Sequence, residues 1–482
     1  DLKIYYFYTE FDSTYKKISY QNEFLGKIYN KTGLLSPIEY LDLDKYEYTR
    51  ISLLLLLQFV YEHDTKIINN LNKPVIYEKQ SHLILSNNAI QQLNLIRYEQ
   101  YGNNDTNKYG SLYEIVNNCS TIIGKRYLKE QLLNPILSSI ELIKRYNQID
   151  ELKENDLYLE YESKLKSIID VERVHRKISL GMLNPFEFYN LDSNYNNVKF
   201  ILSLCKKTTY FEYNLDSIDE YISFYNSIFD VTSMYKYSFK DLSTSFFQIG
   251  QYENIDDLQN KINNDYNVLD KLKSHLSKLI ETDFKKSKFD KDDESTFVKL
   301  EKTDKEGYFL TLTSKRFETL KTKMDKIIKI QDIEFDTTKF KIKNLNSTVK
   351  IVCPKISSLS NSLMINKDKM RTLMKVSYTE SLLKIYSKYQ SLMTNISNMI
   401  GNVDMMVSNA KTSILYNYIR PQLIESDKSF IKATNLRHPI TERLCNNVDY
   451  VTNDIVLGCD NIDGMIITGL NGVGKSVLIK MV

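Results

Sequence analysis

The chain has 482 residues, with 64 Lys and Arg against 61 Asp and Glu, 26% charged residues, 14 Gly, 7 Pro and no Trp. That length exceeds one ordinary core, so three or four domains are expected, and so little Pro and Gly favours long helices over a turn-rich β architecture. The five cysteines (Cys119, Cys205, Cys353, Cys445, Cys459) show no CxxC spacing, which argues against a zinc site or a disulfide framework, and the longest apolar run, 53–61, is broken by Gln58 and falls short of the roughly 20 residues of a membrane span.

A soluble protein of reducing, intracellular surroundings is therefore expected, whether nucleus, cytoplasm or viral factory, with no membrane partner. Residues 1–80 open on the Tyr-rich stretch Ile4-Tyr5-Tyr6-Phe7-Tyr8, pass the turn Asn30-Lys31-Thr32-Gly33 and reach a helix-like run over 51–61. They read as a small α/β unit. After Pro74, Val75-Ile76-Tyr77 and His82-Leu83-Ile84-Leu85 read as short strands leading into a helical array over 81–255. Within it Leu112, Ile115, Val116 and Cys119, then Ile122, Ile123, Tyr127, Leu128, Leu132 and Leu133, recur at spacings of three and four, the pattern of a helix with one buried stripe that Pro135 ends. Further amphipathic helices are expected over 141–152, 157–169 and 187–204.

A long helix without proline is predicted over 256–280, and the segment 256–284 forms one arm. The polar run 285–293 breaks the pattern. Residues 297–300 and 308–313 then read as strands joined by the turn Lys305-Glu306-Gly307, 317–330 as a helix, and 340–343 and 349–352 as strands alternating apolar with basic. One sheet face should be covered with lysine. The whole chain's net charge is only +3, yet within 315–355 ten lysines and Arg316 face five acidic residues, a local balance of +6. Lys315, Arg316, Lys339, Lys341, Lys343 and Lys350 are accordingly the candidate contacts to DNA phosphates. A second long amphipathic stretch fills 365–415, so two helical arms, each longer than about 35 Å, bracket a basic insertion over 285–364.

Residues 416–482 end on Gly469-Leu470-Asn471-Gly472-Val473-Gly474-Lys475-Ser476, which fits the phosphate loop G-x-x-x-x-G-K-[ST] with no mismatch. Its glycines let successive N–H groups turn toward a β-phosphate, Lys475 adds positive charge, and the Ser476 hydroxyl is the usual ligand of Mg²⁺. ATP and Mg²⁺ are the expected cofactors. The apolar residues Met465 to Ile467 suit a buried strand before the loop. Asp1 in place of Met and the end at Val482 inside a helix read as cut ends, and no later acidic residue is present to polarise water, so the chain is expected to bind part of a nucleotide but not to hydrolyse it alone.

These features together resemble the MutS family of DNA mismatch-recognition ATPases. The resemblance rests on Thr121-Ile-Ile-Gly124-Lys-Arg126-Tyr-Leu128 through Pro135, on Asp170-Val171-Glu172-Arg173, on Glu306-Gly307-Tyr308-Phe309, on Arg437-His438-Pro439 about 30 residues before the loop, and on Asn471 inside it. It covers roughly residues 50–482. It implies a multidomain, mainly α protein with α/β parts: an N-terminally incomplete connector (1–80), a helical core (81–255), lever helices (256–284 and 365–415) around a small β-containing DNA clamp (285–364), and the start of an ATPase domain (416–482). It also implies a ring-like homo- or heterodimer with a second MutS-type subunit, double-stranded DNA as ligand, a MutL-type partner, and DNA-dependent ATPase activity in the intact parent. Leu423 falls where the family packs an aromatic on adenine, and His438 is assigned a supporting role near the nucleotide. Leu470 replaces the family's usual Pro, and Gly472-Val473 its Met-Gly. Gly124 and Arg126 read as helix packing and a local ion pair, Asp170 and Arg173 as a helix start. The alternative within the family is a recombination protein that encircles DNA junctions without reading mismatches.

Overall fold

The structure, a computed structural model, describes residues 13–29, 32–63, 68, 71–74, 82–97, 109–281, 283, 297–303, 306–345, 348–445 and 450–482. The chain divides into two compact units, Asp1–Ser81 and His82–Val482. In the first, helices α1 (Ile18–Ile28), α2 (Pro37–Tyr40) and α3 (Glu47–His63) close over Phe24, Leu25, Leu41, Leu54 and Leu57. Arg50 is buried there; its Nε donates to Gln21 Oε1 at 2.5 Å and its Nη1 to the Leu43 carbonyl at 3.1 Å, so the charge enters the core already partnered. The strands expected over 4–8 and 75–77 lie outside the described residues, as do Asn30 and Lys31 of the expected turn.

The second unit begins with α4 (Asn87–Gln92), α5 (Leu112–Val116), α6 (Ile122–Leu133), α7 (Ser139–Lys153), α8 (Leu157–Leu165), α9 (Val171–Ser179), α10 (Pro185–Cys205) and α11 (Ile218–Ile228). It continues with α12 (Glu253–Ile280), α13 (Ser314–Lys323), α14 (Pro354–Tyr416), α15 (Pro439–Leu444) and α16 (Lys475–Met481). No helix of the described residues is long and apolar enough to cross a membrane. The stripe read over 112–133 is two helices, not one. The chain breaks between them because Thr121 caps α6, its hydroxyl accepting from the Gly124 N–H at 2.8 Å, while the Ser120 and Thr121 N–H groups donate to the buried Asp404 carboxylate at 3.0 and 2.7 Å. Of 82–85, only His82 makes a strand-type bridge, to Ile136.

The unit is built around α14. Its 63 residues correspond to about 95 Å of helix contour at 1.5 Å per residue, and α6, α7, α8, α9, α11 and α12 all pack on it. The helix starts earlier than the 365 expected, with Pro354 in its first turn, where a missing N–H costs nothing. Its one non-helical residue is Tyr389 (φ −121°, ψ 15°), at the crossing with α11, where the ring packs on Tyr221 and Phe224 and the hydroxyl donates to Glu220 at 2.9 Å. Several tyrosines fill the core, and their hydroxyls are linked: His175 Nε2 lies 2.8 Å from the Tyr195 hydroxyl, which lies 3.1 Å from that of Tyr221.

Between α12 and α14 lies the β-containing insertion. Strands β1 (Lys299–Thr303), β2 (Gly307–Thr313), β6 (Thr348–Val352) and β5 (Lys341–Leu345) form an antiparallel sheet in that order, and β3 (Ile327–Ile330) pairs with β4 (Ile333–Asp336). The helix expected over 317–330 therefore ends at Lys323. Ile328 and Phe335 are buried and paired across the hairpin, and burial on alternate residues favours a strand where helical spacing also fitted. Strands β7 (Ile431–Leu436) and β8 (Asn453–Leu457) make a third, two-stranded sheet.

Candidate nucleic-acid interface and phosphate loop

Strand pairing decides which face of the four-stranded sheet carries charge. Leu310 pairs with Ile351 and Leu312 with Val349, and these four side chains are buried in the main core. Alternation puts Lys341, Lys343 and Lys350 on the opposite face, with Lys343 directly across from Lys350. The lysine-covered face read from the alternation is present. Lys315, Lys339, Lys341 and Lys343 are exposed, and Arg316 lies 5.1 Å over the Phe297 ring.

These cations are not equivalent. Lys339 pairs with Asp336 at 3.3 Å, whereas Lys341 has no ion pair among the described residues. The Glu306 carboxylate takes two lysines at once, Oε1 at 3.2 Å from Lys343 Nζ and Oε2 at 2.6 Å from Lys350 Nζ, and these bonds hold it below the usual carboxylate range. Lys350 also lies 4.0 Å over the Phe309 ring, and its side chain is only 12% exposed. Gly307 (φ +67°) brings β2 onto α14: a Cβ there would sit 2.4 Å from Ser360 Oγ, which accepts from the Tyr308 N–H at 2.7 Å. Sequence spacing marked the lysines but not Glu306 as their shared partner, since 37 and 44 residues separate them.

In the loop, Gly469 (φ +157°), Gly472 (+86°) and Gly474 (+94°) all have backbone conformations that disfavour side chains, and the space where a Cβ of Gly472 or Gly474 would lie is open. α16 starts at Lys475, whose ammonium donates to the carbonyls of Gly469 and Leu470 at 2.5 and 2.6 Å. The Ser476 hydroxyl is exposed, as are Leu470, Asn471 and Val473. Turn geometry, open space and a lysine reaching over the loop all fit a polyphosphate. Met465 to Ile467 are not the buried strand expected: 463–470 has no regular structure, and Ile466 is 92% exposed. A strand needs a ladder partner, and among the described residues β7 and β8 pair only with each other.

His438 caps α15, its Nδ1 accepting from the Thr441 N–H at 3.3 Å, and burial, with Lys480 nearby, lowers its pKa. Its backbone N–H donates to the Tyr450 hydroxyl at 2.9 Å, which in turn donates to Met481 Sδ of α16 at 3.3 Å. The His438 backbone is thus linked through Tyr450 to α16 by hydrogen bonds. Leu423 lies in the irregular stretch 418–430 and is 41% exposed. Arg437 joins the loop region to α14: Nη2 donates to the carbonyls of Tyr416 and Asn417 at 3.0 and 2.9 Å, and Nη1 to Glu442 at 2.8 Å. A guanidinium at a helix C-terminus satisfies carbonyls that lack intrahelical donors. The structural readings of the core residues hold. Arg126 makes a bidentate pair with Asp170 (2.9 and 2.7 Å), and Asp170 caps α9 by accepting from the Arg173 N–H at 3.4 Å.

The sequence profile of MutS domain III matches residues 88–410. The mutS homolog L359 of Acanthamoeba polyphaga mimivirus is 32% identical over 471 residues, 92% of this chain and 41% of the relative. The mitochondrial DNA mismatch repair protein mutS homolog of Sarcophyton glaucum is 28% identical (90% of this chain, 42% of the relative), and the DNA mismatch repair protein MutS of Clostridioides difficile strain 630 is 24% identical (98% and 46%). The chain thus spans less than half the length of these relatives. A domain III match over two long helices, the Arg126–Asp170 pair and the Gly307 turn places the chain in the MutS family.

Proposed function

We propose that this chain is the DNA-gripping and nucleotide-sensing part of a MutS-type mismatch repair ATPase. Residues 285–364 act as a clamp whose Lys315, Arg316, Lys339, Lys341, Lys343 and Lys350 hold duplex phosphates without reading bases. Residues 1–80 serve as connector, 81–255 as core, 256–284 and 365–415 as levers, and 416–482 as the start of the ATPase domain. The loop's N–H groups and Lys475 would hold the phosphates of ATP, and the Ser476 hydroxyl would hold a Mg²⁺ ion that would neutralise phosphate charge. A second MutS-type subunit completes the assembly, and a MutL-type protein is its expected partner.

One observation carries this reading: a single helix, α14, begins beside the lysine-bearing sheet and ends at Arg437, the residue bonded to its last carbonyls. A change at α16 is therefore linked to α14 through the Met481–Tyr450–His438 hydrogen bonds and Arg437. Reversing the charge of Lys339, Lys341 and Lys343 together should weaken duplex binding at least tenfold and reduce the slope of log K against log salt by about two to three. Unchanged affinity and slope would remove the clamp assignment. Lys475→Ala should abolish binding of a fluorescent ATP analogue, and retained binding would remove the loop from the reading.

A further inference from the structure

Lys343 and Lys350 stand directly opposite each other on neighbouring antiparallel strands, an arrangement in which like charges repel. Among the described residues, the only anion bonded to either is Glu306, one carboxylate oxygen on each ammonium. Two anionic oxygens bridging two ammoniums is also what a phosphodiester offers. The three residues line a recess of about 510 Å³ between the sheet and the start of α14, with Phe309, Ser357 and Asn361 on its other sides. The side chain of Glu306 is 42% exposed and that of Lys343 is 62% exposed, so the carboxylate is free to swing toward solvent. Lys350 cannot follow it, held as it is over the Phe309 ring and largely covered.

We infer that Lys343 and Lys350 form a seat for one DNA backbone phosphate, which Glu306 of the same chain closes until the duplex displaces it. The inference rests on the proposed clamp function and adds a gate to it. Free sheet and bound sheet then differ by an exchange of anions. Bringing a phosphate to the seat releases a carboxylate to water, so the net gain per contact is small. DNA is held firmly only where several contacts form together, which suits a clamp that must let go. Lys341, on the same face and without an ion pair among the described residues, contacts phosphate without such a gate.

The test measures binding of this chain to a fluorescent duplex across a salt series, for the native chain, Glu306→Gln, Lys343→Met and the double variant. Glu306→Gln keeps shape and removes the competing charge. It should tighten binding about three- to tenfold and steepen the log–log salt slope by close to one, the increment for one further neutralised phosphate. Lys343→Met should weaken binding, and in the double variant the gain from Glu306→Gln should disappear. Inorganic phosphate at the same ionic strength should compete poorly, because the seat draws on neighbouring phosphodiester contacts. If Glu306→Gln leaves affinity and slope unchanged, or lowers affinity while circular dichroism shows an intact fold, the gate is overturned while the clamp stands. If the native chain binds duplex with no dependence on Lys339, Lys341 or Lys343, the clamp reading itself has failed.

Discussion

Asp404 and Glu306 are both carboxylates that bridge two residues at once, yet they belong to different regions and do different work. Asp404 is fully buried where α6 meets α14. It accepts from the Ser120 and Thr121 N–H groups and from the Thr121 hydroxyl (2.7 Å), and burial raises its pKa. Glu306 lies on an open sheet face, where water and salt screen its bonds and an incoming anion can replace it. The lesson is about where charge sits. A polar group enclosed by helices specifies which elements meet, since leaving its partners unpaired is costly, whereas a polar group at the surface is available for exchange with a ligand.

The largest effects are expected at the buried carboxylate. Asp404→Ala should lower unfolding free energy by about 3 kcal/mol, because two backbone N–H groups lose their acceptor in the interior. Gly124→Ala should cost a comparable amount, since its Cβ would lie 2.1 Å from Asp404 Oδ2. Urea unfolding followed by far-ultraviolet circular dichroism measures both; a loss below 1 kcal/mol in each would show that the junction specifies little.

A second test of the buried region is its pH response. Burial pushes the His175 ring down to about 4 from 6.5. Between those values the unfolded chain takes a proton that the folded chain refuses, so stability should fall as pH falls through this window, by roughly 3 kcal/mol in all. His175→Gln should flatten urea midpoints between pH 6.5 and 4, and an unchanged slope would assign it to other groups. Asp170, held low chiefly by its hydrogen bonds to Arg126, loses its contribution only as pH falls below 3.8.

Smaller effects are expected where polar groups are half exposed. Arg437→Ala should speed amide exchange at the C-terminal turn of α14 about tenfold, equivalent to about 1.4 kcal/mol, with little change elsewhere. Global loss of protection would mean that Arg437 is part of the core rather than a joint. Smallest of all, Lys341→Glu should leave the melting temperature within about 2 °C of the native value while weakening duplex binding.

The periodic apolar positions were enough to locate α12, α14 and most of the helical array, because a helix that buries one stripe must repeat it every three or four residues. The glycine turn over 469–474 was equally legible, since its glycines are required by positive φ at Gly472 and Gly474 whatever surrounds them. Elsewhere, an interaction distant in sequence overrides the local pattern. Residues 112–133 kept helical spacing across a break imposed by Asp404, some 280 residues away. The β3–β4 hairpin turned at Gln331, whose φ of +55° no Gly or Asn announces. Met465 to Ile467 have strand composition but, among the described residues, no neighbouring strand to pair with.

By itself, then, the order of residues determined the long helices, the lysine-bearing strands and the glycine loop, all of which follow from spacing and backbone stereochemistry within short windows. Only tertiary structure decided that Glu306 would meet both Lys343 and Lys350, that Arg437 would cap α14, and that Asp404 would divide α5 from α6. Each of those is a bond between groups tens or hundreds of residues apart, and polar contacts of that kind leave no period in the chain for a reader to find.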